Sequence, residues 1–334
     1  MFMNINVNTE RDYLFDNIRA FLIFLVVIGH MIAEQKGNIM AAEVVYYFIY
    51  IFHMPAFVFI TGYFSKNLDK NRENAVKSFL IPYLVLNILF VILGKLSLYD
   101  TKSSFRLFNP VWGMWFLLAV FIWKFLLKDL VRVRYILPLS FVVGVLSGFS
   151  NEFSSTMSLA RVINYLPFFL LGYFCKKEHI DKIRKFPKWV SMIVLVLFGI
   201  ASVFLSKYNI IKMEIFYMRK PYSKIAQSSL TSALGRMLIY ISAIVIIICL
   251  INLFSNNSTW YTKIGQNSLT VYVLHLVAVS NIRNIELPWD RTPYYLIYSI
   301  IVSFILSYLF SRDIVIRAYK SIMDFITKLV YRVK

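Results

Sequence analysis

The first apolar segment of the sequence carries an arginine and a histidine that share one helical face. Arg19 and His30 are eleven positions apart. At about 100° and about 1.5 Å per residue, they point within about 20° of each other and lie about 16 Å apart. Asp16 and Glu34 fall close to the same stripe. Because ionisable side chains are costly in lipid, the stripe predicts a functional site that faces the protein interior or a polar cavity.

Two more histidines lie in apolar segments, so the sequence predicts a histidine-containing site within a membrane. His53 precedes Pro55 in the second segment, and His275 lies in a late one. A neutral imidazole can act as a general base on a hydroxyl or as a nucleophile toward an activated acyl group. Taken singly, His53 and His275 are equally consistent with packing residues that bond to their neighbours.

Three further residues occur where they could line such a site. Arg161 and Arg236 lie near the ends of apolar segments, where an arginine either extends to the lipid headgroups or serves a buried site. Trp115 fits either an interfacial aromatic residue or a wall of the site. Arginines on the cytoplasmic side would also suit the phosphates of a donor molecule.

The composition excludes an ordinary soluble protein. The chain has 334 residues, of which 59% are hydrophobic and 16% are charged, and its mean hydropathy is +0.65. Soluble chains average about 25% charged residues. The net charge of +19 comes mostly from short segments between apolar runs, which indicates membrane topology rather than a nucleic-acid partner. Cys175 and Cys249 form no disulfide or metal-binding pattern, so we expect no metal site.

Apolar segments long enough to cross a membrane fill most of the chain. A crossing of about 30 Å needs roughly 20 apolar residues in a helix. The sequence predicts about ten such helices, at 14–34, 43–64, 78–97, 111–128, 135–150, 161–175, 189–206, 229–253, 267–282 and 293–311. We therefore expect an all-α, polytopic integral membrane protein with a single membrane-embedded domain over 1–334.

The basic residues predict the orientation of these helices. Segments on the side of both termini carry more Lys and Arg than the opposite segments, so both termini are expected in the cytoplasm of a multi-pass cell-membrane protein. The tail, 312–334, predicts a basic amphipathic helix on the inner membrane surface, which can be an anchor without a ligand. Its apolar face comprises Ile322, Phe325, Ile326, Leu329 and Val333, and its polar face Arg317, Lys320, Asp324, Lys328 and Arg332.

Several common enzyme signatures are missing from the sequence. It has no Walker P-loop, no Gly-x-Gly-x-x-Gly, no HExxH and no Gly-x-Ser-x-Gly. ATP hydrolysis, dinucleotide binding, zinc proteolysis and the α/β-hydrolase mechanism therefore lose their usual sequence support.

The segments that carry chemistry resemble the membrane-bound acyltransferase 3 family, and within it the fucose 4-O-acetylase-like sugar acetyltransferases. The resemblance extends over nearly the whole chain. The matching motifs are Asp16-Asn-Ile-Arg19 followed by Gly29-His30, Phe52-His53-Met-Pro55 leading to Thr61-Gly62-Tyr63, Met114-Trp115-Phe116-Leu117, Arg161 leading to Leu166-Pro167 and Gly172-Tyr173, and Ile264-Gly265 leading to Ser268, Tyr272 and His275. Together these motifs are specific, although none would be so alone.

The resemblance implies a ten-helix core that transfers an acyl group, usually acetyl from cytoplasmic acetyl-CoA. The implied acceptor is a sugar hydroxyl on a cell-envelope glycan or its lipid-linked precursor. By the same resemblance His30 is the catalytic histidine and Arg19 is its companion on the first helix. Acetyl-CoA is then a co-substrate, and no permanently bound cofactor is expected. The expected partners are the acyl-CoA donor, the sugar or polysaccharide acceptor and the lipid bilayer, with association with a glycan synthesis or export system left open.

The donor site departs from the pattern of the family. Many members have two arginines three residues apart before the proline of the third helix, in a region associated with CoA. This sequence has Lys77 before Pro82, with Arg72 further back. We expect donor phosphates to be bound by Arg19, Arg72 and Lys77. The candidates for a polar network or acceptor binding are Asp16, Glu34, His53, Trp115, Arg161, Arg236 and His275.

Two other functions stay open. A polar stripe through a helical bundle also suits a transporter of a glycan or lipid-linked sugar that performs no acyl transfer. A structural or assembly role would tolerate changes at His30. The sequence also leaves open acetyl against succinyl transfer, the acceptor hydroxyl, the oligomeric state, and whether His30 acts as a base or carries the acyl group.

Overall fold

The computed structural model describes residues 12–95, 110, 112–152, 158–225, 228–283, 285, 288 and 291–330, and these contain helices and no strand. The helices of the first half are α1 (Leu14–Met31), α2 (Met40–Tyr63), α3 (Leu68–Ala75), α4 (Ile81–Lys95), α5 (Trp115–Leu130), α6 (Ile136–Leu146) and α7 (Leu159–Phe174). Those of the second half are α8 (Lys177–Arg184), α9 (Lys188–Tyr208), α10 (Ser229–Leu253), α11 (Thr262–Gln266), α12 (Ser268–Arg283), α13 (Tyr294–Phe310) and α14 (Asp313–Val330). The all-α prediction is confirmed for the described residues.

Each predicted membrane segment overlaps a helix, although several of these helices are short. By length and composition, five helical stretches of the described residues can cross a membrane: Leu14–Glu34, Met40–Tyr63, Leu68–Gly94, Lys188–Tyr208 and Ser229–Leu253. A sixth would combine α13 with α14, which are bent by 63° relative to each other. The polytopic membrane class is confirmed, whereas the count of ten stays a prediction. Predicted positions 96–97 and 111, and the tail residues Arg332 and Val333, lie outside the described residues.

The helices α1 and α2 form the centre of the bundle. α1 packs against α2, α11, α12 and α13, while α2 also packs against α7, α9 and α10. Apolar side chains such as Leu22 and Val27 on α1 and Ile49 on α2 are fully buried. α9 instead exposes large apolar side chains, including Trp189 and Val196. Because lipid tails are as apolar as these side chains, α9 fits the periphery and α1 the interior.

Two glycines allow the backbones of α2 and α7 to touch. A Cβ atom at Gly62 would overlap the carbonyl oxygen of Phe169, and one at Gly172 would overlap that of Phe59. Small residues are common at such contacts in membranes, since helix association there depends on close packing rather than on the hydrophobic effect. The pair fixes the spacing between α2, which carries His53, and α7, which carries Arg161.

We expect Gly62→Ala to lower the free energy of unfolding by about 1–3 kcal/mol, the usual cost of forcing extra volume into a packed contact. Thermal denaturation of the purified protein in detergent, read by size-exclusion of the soluble fraction, measures this. Gly199→Ala is the matched control, because a Cβ atom there meets no atom within 4 Å. Equal melting temperatures for the two variants would contradict the close contact of α2 with α7.

Candidate functional site

Three histidines from three helices meet at one end of α1. His30 lies in the last turn of α1, and its ring centroid is 5.3 Å from that of His275 on α12. His53 on α2 is close enough to interact electrostatically with His30. His30 is half-buried, while His53 and His275 are buried. The structure therefore brings together the three histidines that the sequence places in separate apolar segments, and we call them the histidine cluster.

Backbone carbonyls fix the tautomers of two of these rings. His53 Nδ1 lies 2.8 Å from the carbonyl oxygen of Ile49, and His275 Nδ1 lies 3.1 Å from that of Val271. A carbonyl only accepts, so each Nδ1 donates its hydrogen and each neutral ring keeps a lone pair on Nε2. His275 Nε2 is buried and has no hydrogen-bond partner among the described residues. The cluster thus contains an unused basic lone pair.

An ion pair stands beside the last turn of α1. Arg283, at the end of α12, pairs with Glu34, and its Nη1 donates to the carbonyl oxygen of His30 at 3.4 Å. The hydroxyl of Tyr295 donates to the carbonyl oxygen of Met31 at 3.2 Å. Glu34 is a predicted site residue, and its role here is to hold the arginine that contacts His30. Sequence reasoning missed Arg283, although an arginine eight positions after His275 was a usable signal.

Arg161 and Trp115 form another wall of the site at the His30 end of α1. The guanidinium carbon of Arg161 lies 4.9 Å from the ring centroid of Trp115, which itself stacks on Tyr165 at 5.2 Å. Arg161 Nε donates to the carbonyl oxygen of Tyr217 at 3.3 Å, and Arg161 interacts electrostatically with His30. These contacts indicate that Arg161 belongs to the site and does not extend to the lipid headgroups.

Arg236 belongs to a separate buried network. It is 1% exposed, and its Nη1 donates to Asn164 Oδ1 at 3.0 Å and to the carbonyl oxygen of Gly144 at 3.2 Å. Its guanidinium carbon lies 4.5 Å from the ring centroid of Tyr222. No carboxylate pairs with it among the described residues. Arg236 therefore ties α10 to α6 and α7, and no contact in the described part of the chain joins it to the histidine cluster.

Tyrosines lead from the histidine cluster toward the loop after α1. Tyr46 and Tyr50 stack at 4.0 Å on one face of α2, and Tyr50 meets His53 edge-on at 4.7 Å. Tyr217 packs edge-on against both tyrosines. Lys36 Nζ donates to the Tyr217 hydroxyl at 2.7 Å. We call Tyr46, Tyr50 and Tyr217 the aromatic column. Sequence reasoning missed it because Tyr217 comes from a segment far from the two tyrosines of α2.

The opposite end of α1 is polar and positively charged. Arg19 Nη1 lies 3.3 Å from Asp16 Oδ1, and its guanidinium carbon lies 4.6 Å from the ring centroid of Phe64. Asp16 Oδ2 also accepts from Gln266 Nε2 at 3.4 Å. Both predicted residues are thus held by neighbouring elements, and Arg19 faces α5, where Lys124 interacts with it electrostatically.

A cavity of about 710 Å³ lies beside Arg19, and we call it the basic cavity. Its lining includes Phe64 and the three cations Lys66, Lys70 and Lys124, and no carboxylate among the described residues. Lys124 Nζ donates to Asn71 Oδ1 at 2.8 Å. Lys66 Nζ donates to the carbonyl oxygens of Gly172, Tyr173 and Cys175 at the end of α7, and partial burial lowers the pKa of Lys66. Such a cavity suits an anion.

The two other predicted donor-binding residues lie outside this cavity. Arg72 pairs with Asp129 Oδ2 at 3.5 Å, and its guanidinium carbon lies 4.8 Å from the ring centroid of Phe125. Lys77 is exposed in the π-helical turn Val76–Leu80 that joins α3 to α4. Sequence reasoning missed the lysines that do line the cavity, because Lys124 belongs to a different helix and Lys66 and Lys70 resemble ordinary topology signals.

Asn17 is a buried residue that sequence reasoning passed over. Its Nδ2 donates to the carbonyl oxygens of Ser255 at 2.8 Å and Asn257 at 2.9 Å. Its Oδ1 accepts from the hydroxyls of Thr259 at 3.1 Å and Thr262 at 2.6 Å. It therefore anchors the segment that leads into α11. Within the described residues, no group of three or more His, Cys, Asp or Glu side chains could hold a metal ion.

We expect Asn17→Asp to destabilise the protein by about 2 kcal/mol or more, because the carbonyl oxygens of Ser255 and Asn257 lose their donor and a charge is placed at a buried position. The melting temperature and the rate of proteolysis in the segment 255–262 measure the effect. Asn281→Asp is the control, since Asn281 is exposed and its Nδ2 donates within α12 to Val277 at 2.9 Å. Unchanged proteolysis in Asn17→Asp would show that this residue does not anchor the segment.

Known proteins provide an independent assignment. A family profile described as "Acyltransferase domain" matches residues 12–312. Two relatives named "Nodulation protein NolL" come from Mesorhizobium japonicum, 29% identical over 180 residues, and from Sinorhizobium fredii, 30% identical over 190 residues. Each alignment covers 49% of this chain and 48% of the relative, so the chain spans about half the length of the curated relatives it matches. No solved structure matches.

The matched range contains the histidine cluster, the aromatic column and the basic cavity. It also contains Arg19, His30, His53, Arg161 and His275. Because the profile match extends over most of the chain, the protein belongs to the acyltransferase 3 family of membrane acyltransferases.

Proposed function

We propose that the protein transfers an acyl group, most simply acetyl, from cytoplasmic acyl-CoA to a sugar hydroxyl that reaches the histidine cluster from the opposite side of the membrane. The main support is the arrangement along α1, with a basic cavity at the Arg19 end and three histidines at the other. The basic cavity suits a polyanionic donor, and the histidine cluster suits an acceptor hydroxyl. This orientation places both termini in the cytoplasm of a cell-membrane protein.

The donor binds at the Arg19 end. The phosphates of CoA attract Lys66, Lys70 and Lys124 in the basic cavity and Arg19 beside it. CoA itself is too polar to cross the bilayer, so only its thin pantetheine arm extends along α1. The rise from Arg19 to His30 is about 16 Å. Acetyl-CoA is a co-substrate in this proposal, and succinyl-CoA would use the same phosphate contacts.

The chemistry takes place at His30. In one route His30 accepts the proton of the acceptor hydroxyl, whose oxygen attacks the thioester carbonyl; the C–S bond breaks and the CoA thiolate leaves with the proton. In the other route a ring nitrogen of His30 attacks the thioester carbonyl, the C–S bond breaks, and the CoA thiolate leaves with the proton of the other ring nitrogen. The acceptor hydroxyl then attacks the acyl-imidazole, the bond between the acyl carbon and the ring nitrogen breaks, and the hydroxyl proton returns to the ring. The free lone pair on His275 Nε2 supports either route, because it can accept a hydrogen bond from the ring N–H of His30.

The acceptor approaches through the aromatic column. The C–H faces of a sugar ring pack well on tyrosine rings, and its hydroxyls pair with phenol and ammonium groups such as those of Tyr217 and Lys36. An acceptor on a cell-envelope glycan or a lipid-linked precursor would reach this end without crossing the membrane. A glycan synthesis or export system would supply this acceptor.

We expect His30→Ala to reduce acyl transfer by at least about 100-fold, the usual contribution of a general acid or base. The assay follows labelled acetyl from acetyl-CoA into alkali-labile esters of envelope glycan with purified protein. His179→Ala is the matched control, because this histidine lies exposed on α8 and accepts from the backbone N–H of Lys176 at 3.2 Å. Full activity of a folded His30→Ala variant would refute the mechanism. Movement of unmodified sugar into sealed vesicles without acyl-CoA would instead favour a transporter.

We expect Lys124→Met to raise the KM for acetyl-CoA about tenfold with little change in kcat, since one charged contact to phosphate contributes about 1.4 kcal/mol. Steady-state kinetics with saturating acceptor measure this. Lys128→Met is the control, because Lys128 lies one turn further along α5 and pairs with exposed Asp69 at 2.7 Å. This ion pair lowers the pKa of the Asp69 carboxyl. A tenfold loss in kcat at unchanged KM would contradict the donor assignment of the basic cavity.

A further inference from the structure

A second cavity, of about 690 Å³, lies between the start of α1, α11 and α14, and we call it the tail cavity. Its charged lining consists of Lys263, Arg317, Lys320 and Asp313. Lys263 Nζ lies 2.6 Å from Asp313 Oδ2 and lowers the pKa of that carboxyl, so the two charges neutralise each other. Arg317 and Lys320 have no ion-pair partner among the described residues. The lining thus has a net charge of +2, and Arg317 also interacts electrostatically with Asp313.

The angle and the side chains of the tail helix fit a position at the edge of the bilayer. α14 is bent by 63° from α13, as an amphipathic helix on the membrane surface beside a spanning helix would be. Its exposed apolar side chains Ile314, Phe325 and Leu329 fall within an arc of about 60° at about 100° per residue. Arg317 and Lys320 lie outside that arc, facing the tail cavity. A helix with its apolar arc in the acyl chains holds such cations near the headgroup phosphates.

Apolar surface also adjoins the tail cavity. Trp260, next to the lining residue Thr259, is 71% exposed and meets Phe304 of α13 edge-on at 5.9 Å. Tryptophan is enriched at the level of the lipid headgroups. α13 further exposes Ile297, Ile301 and Tyr308. A lipid whose phosphate lies in the cavity therefore finds an apolar surface for its acyl chains, which a free phosphate would not use.

We propose that the tail cavity binds the phosphate of an anionic phospholipid through Arg317 and Lys320, with the acyl chains against α13. A phosphodiester with an uncharged headgroup, such as phosphatidylglycerol, brings one negative charge to the two cations. Phosphatidylcholine has the same phosphate but adds a positive charge that these cations repel. The site uses none of the residues assigned to acyl transfer, so it stands whether or not the proposed reaction is correct.

The test is native mass spectrometry of the purified full-length protein titrated with dioleoylphosphatidylglycerol or dioleoylphosphatidylcholine. We expect phosphatidylglycerol to bind more tightly than phosphatidylcholine. In the double variant Arg317→Gln/Lys320→Gln the affinity for phosphatidylglycerol should fall about 25-fold, since each basic residue near an anionic lipid contributes about fivefold. The matched control is Lys185→Gln/Lys188→Gln, which removes two exposed cations at the same end of the bundle. It should bind phosphatidylglycerol like the unmodified protein.

Three outcomes of the lipid titrations would overturn the proposal. These are equal affinity for the two lipids, wild-type affinity in the Arg317→Gln/Lys320→Gln variant, and an equal loss in the control variant. A separate arm adds inorganic phosphate at millimolar concentration. Displacement of phosphatidylglycerol by phosphate at that level would show a free-anion site and overturn the lipid assignment. Size-exclusion chromatography checks the folding of both double variants. The single variant Lys320→Gln should lose affinity for phosphatidylglycerol about fivefold.

Discussion

The structure depends on enclosing a first helix that is polar at both ends. Asp16 and Asn17 near the start of α1 and His30 in its last turn would be costly against lipid, so α2, α11, α12 and α13 surround this helix. At the start, α11 comes so close that a Cβ atom at Gly265 would overlap the carbonyl oxygen of Asp16. Near the end, a Cβ atom at Gly29 would lie 3.2 Å from the Tyr50 ring. The helices that enclose α1 therefore also form the two polar ends of the site.

Patterns along a single helix were predictable from the sequence. Apolar runs of suitable length locate the helices, and the spacing of Arg19 and His30 places both on one face. The motifs that resemble the family connect His30 with His53 and His275, and the structure brings these rings together. Each of these inferences needs only helical geometry or a local stretch of chain, which is why sequence alone supports them.

Contacts between distant segments were not predictable in the same way. The environment of Arg236 comes from Asn164 and Tyr222 on other elements, so its position near a helix end could not distinguish a buried network from contact with headgroups. Lys124 and Asn17 are likewise defined by partners 53 and more than 230 positions away. The sequence predicts a separate amphipathic helix in the tail, whereas the angle of 63° between α13 and α14 is known only from the structure.

The position of His30 determines what must move during the proposed reaction. Because His30 lies in the last turn of α1 rather than midway along it, the acyl group has to travel most of the length of that helix from the basic cavity. The acceptor sugar, by contrast, has only to pass the aromatic column. A thioester on a flexible arm can extend along α1 through a narrow passage. A hydrated sugar that moved along the same passage would lose many hydrogen bonds to water. In the proposed reaction the acyl group therefore crosses the membrane, and the sugar stays on its own side.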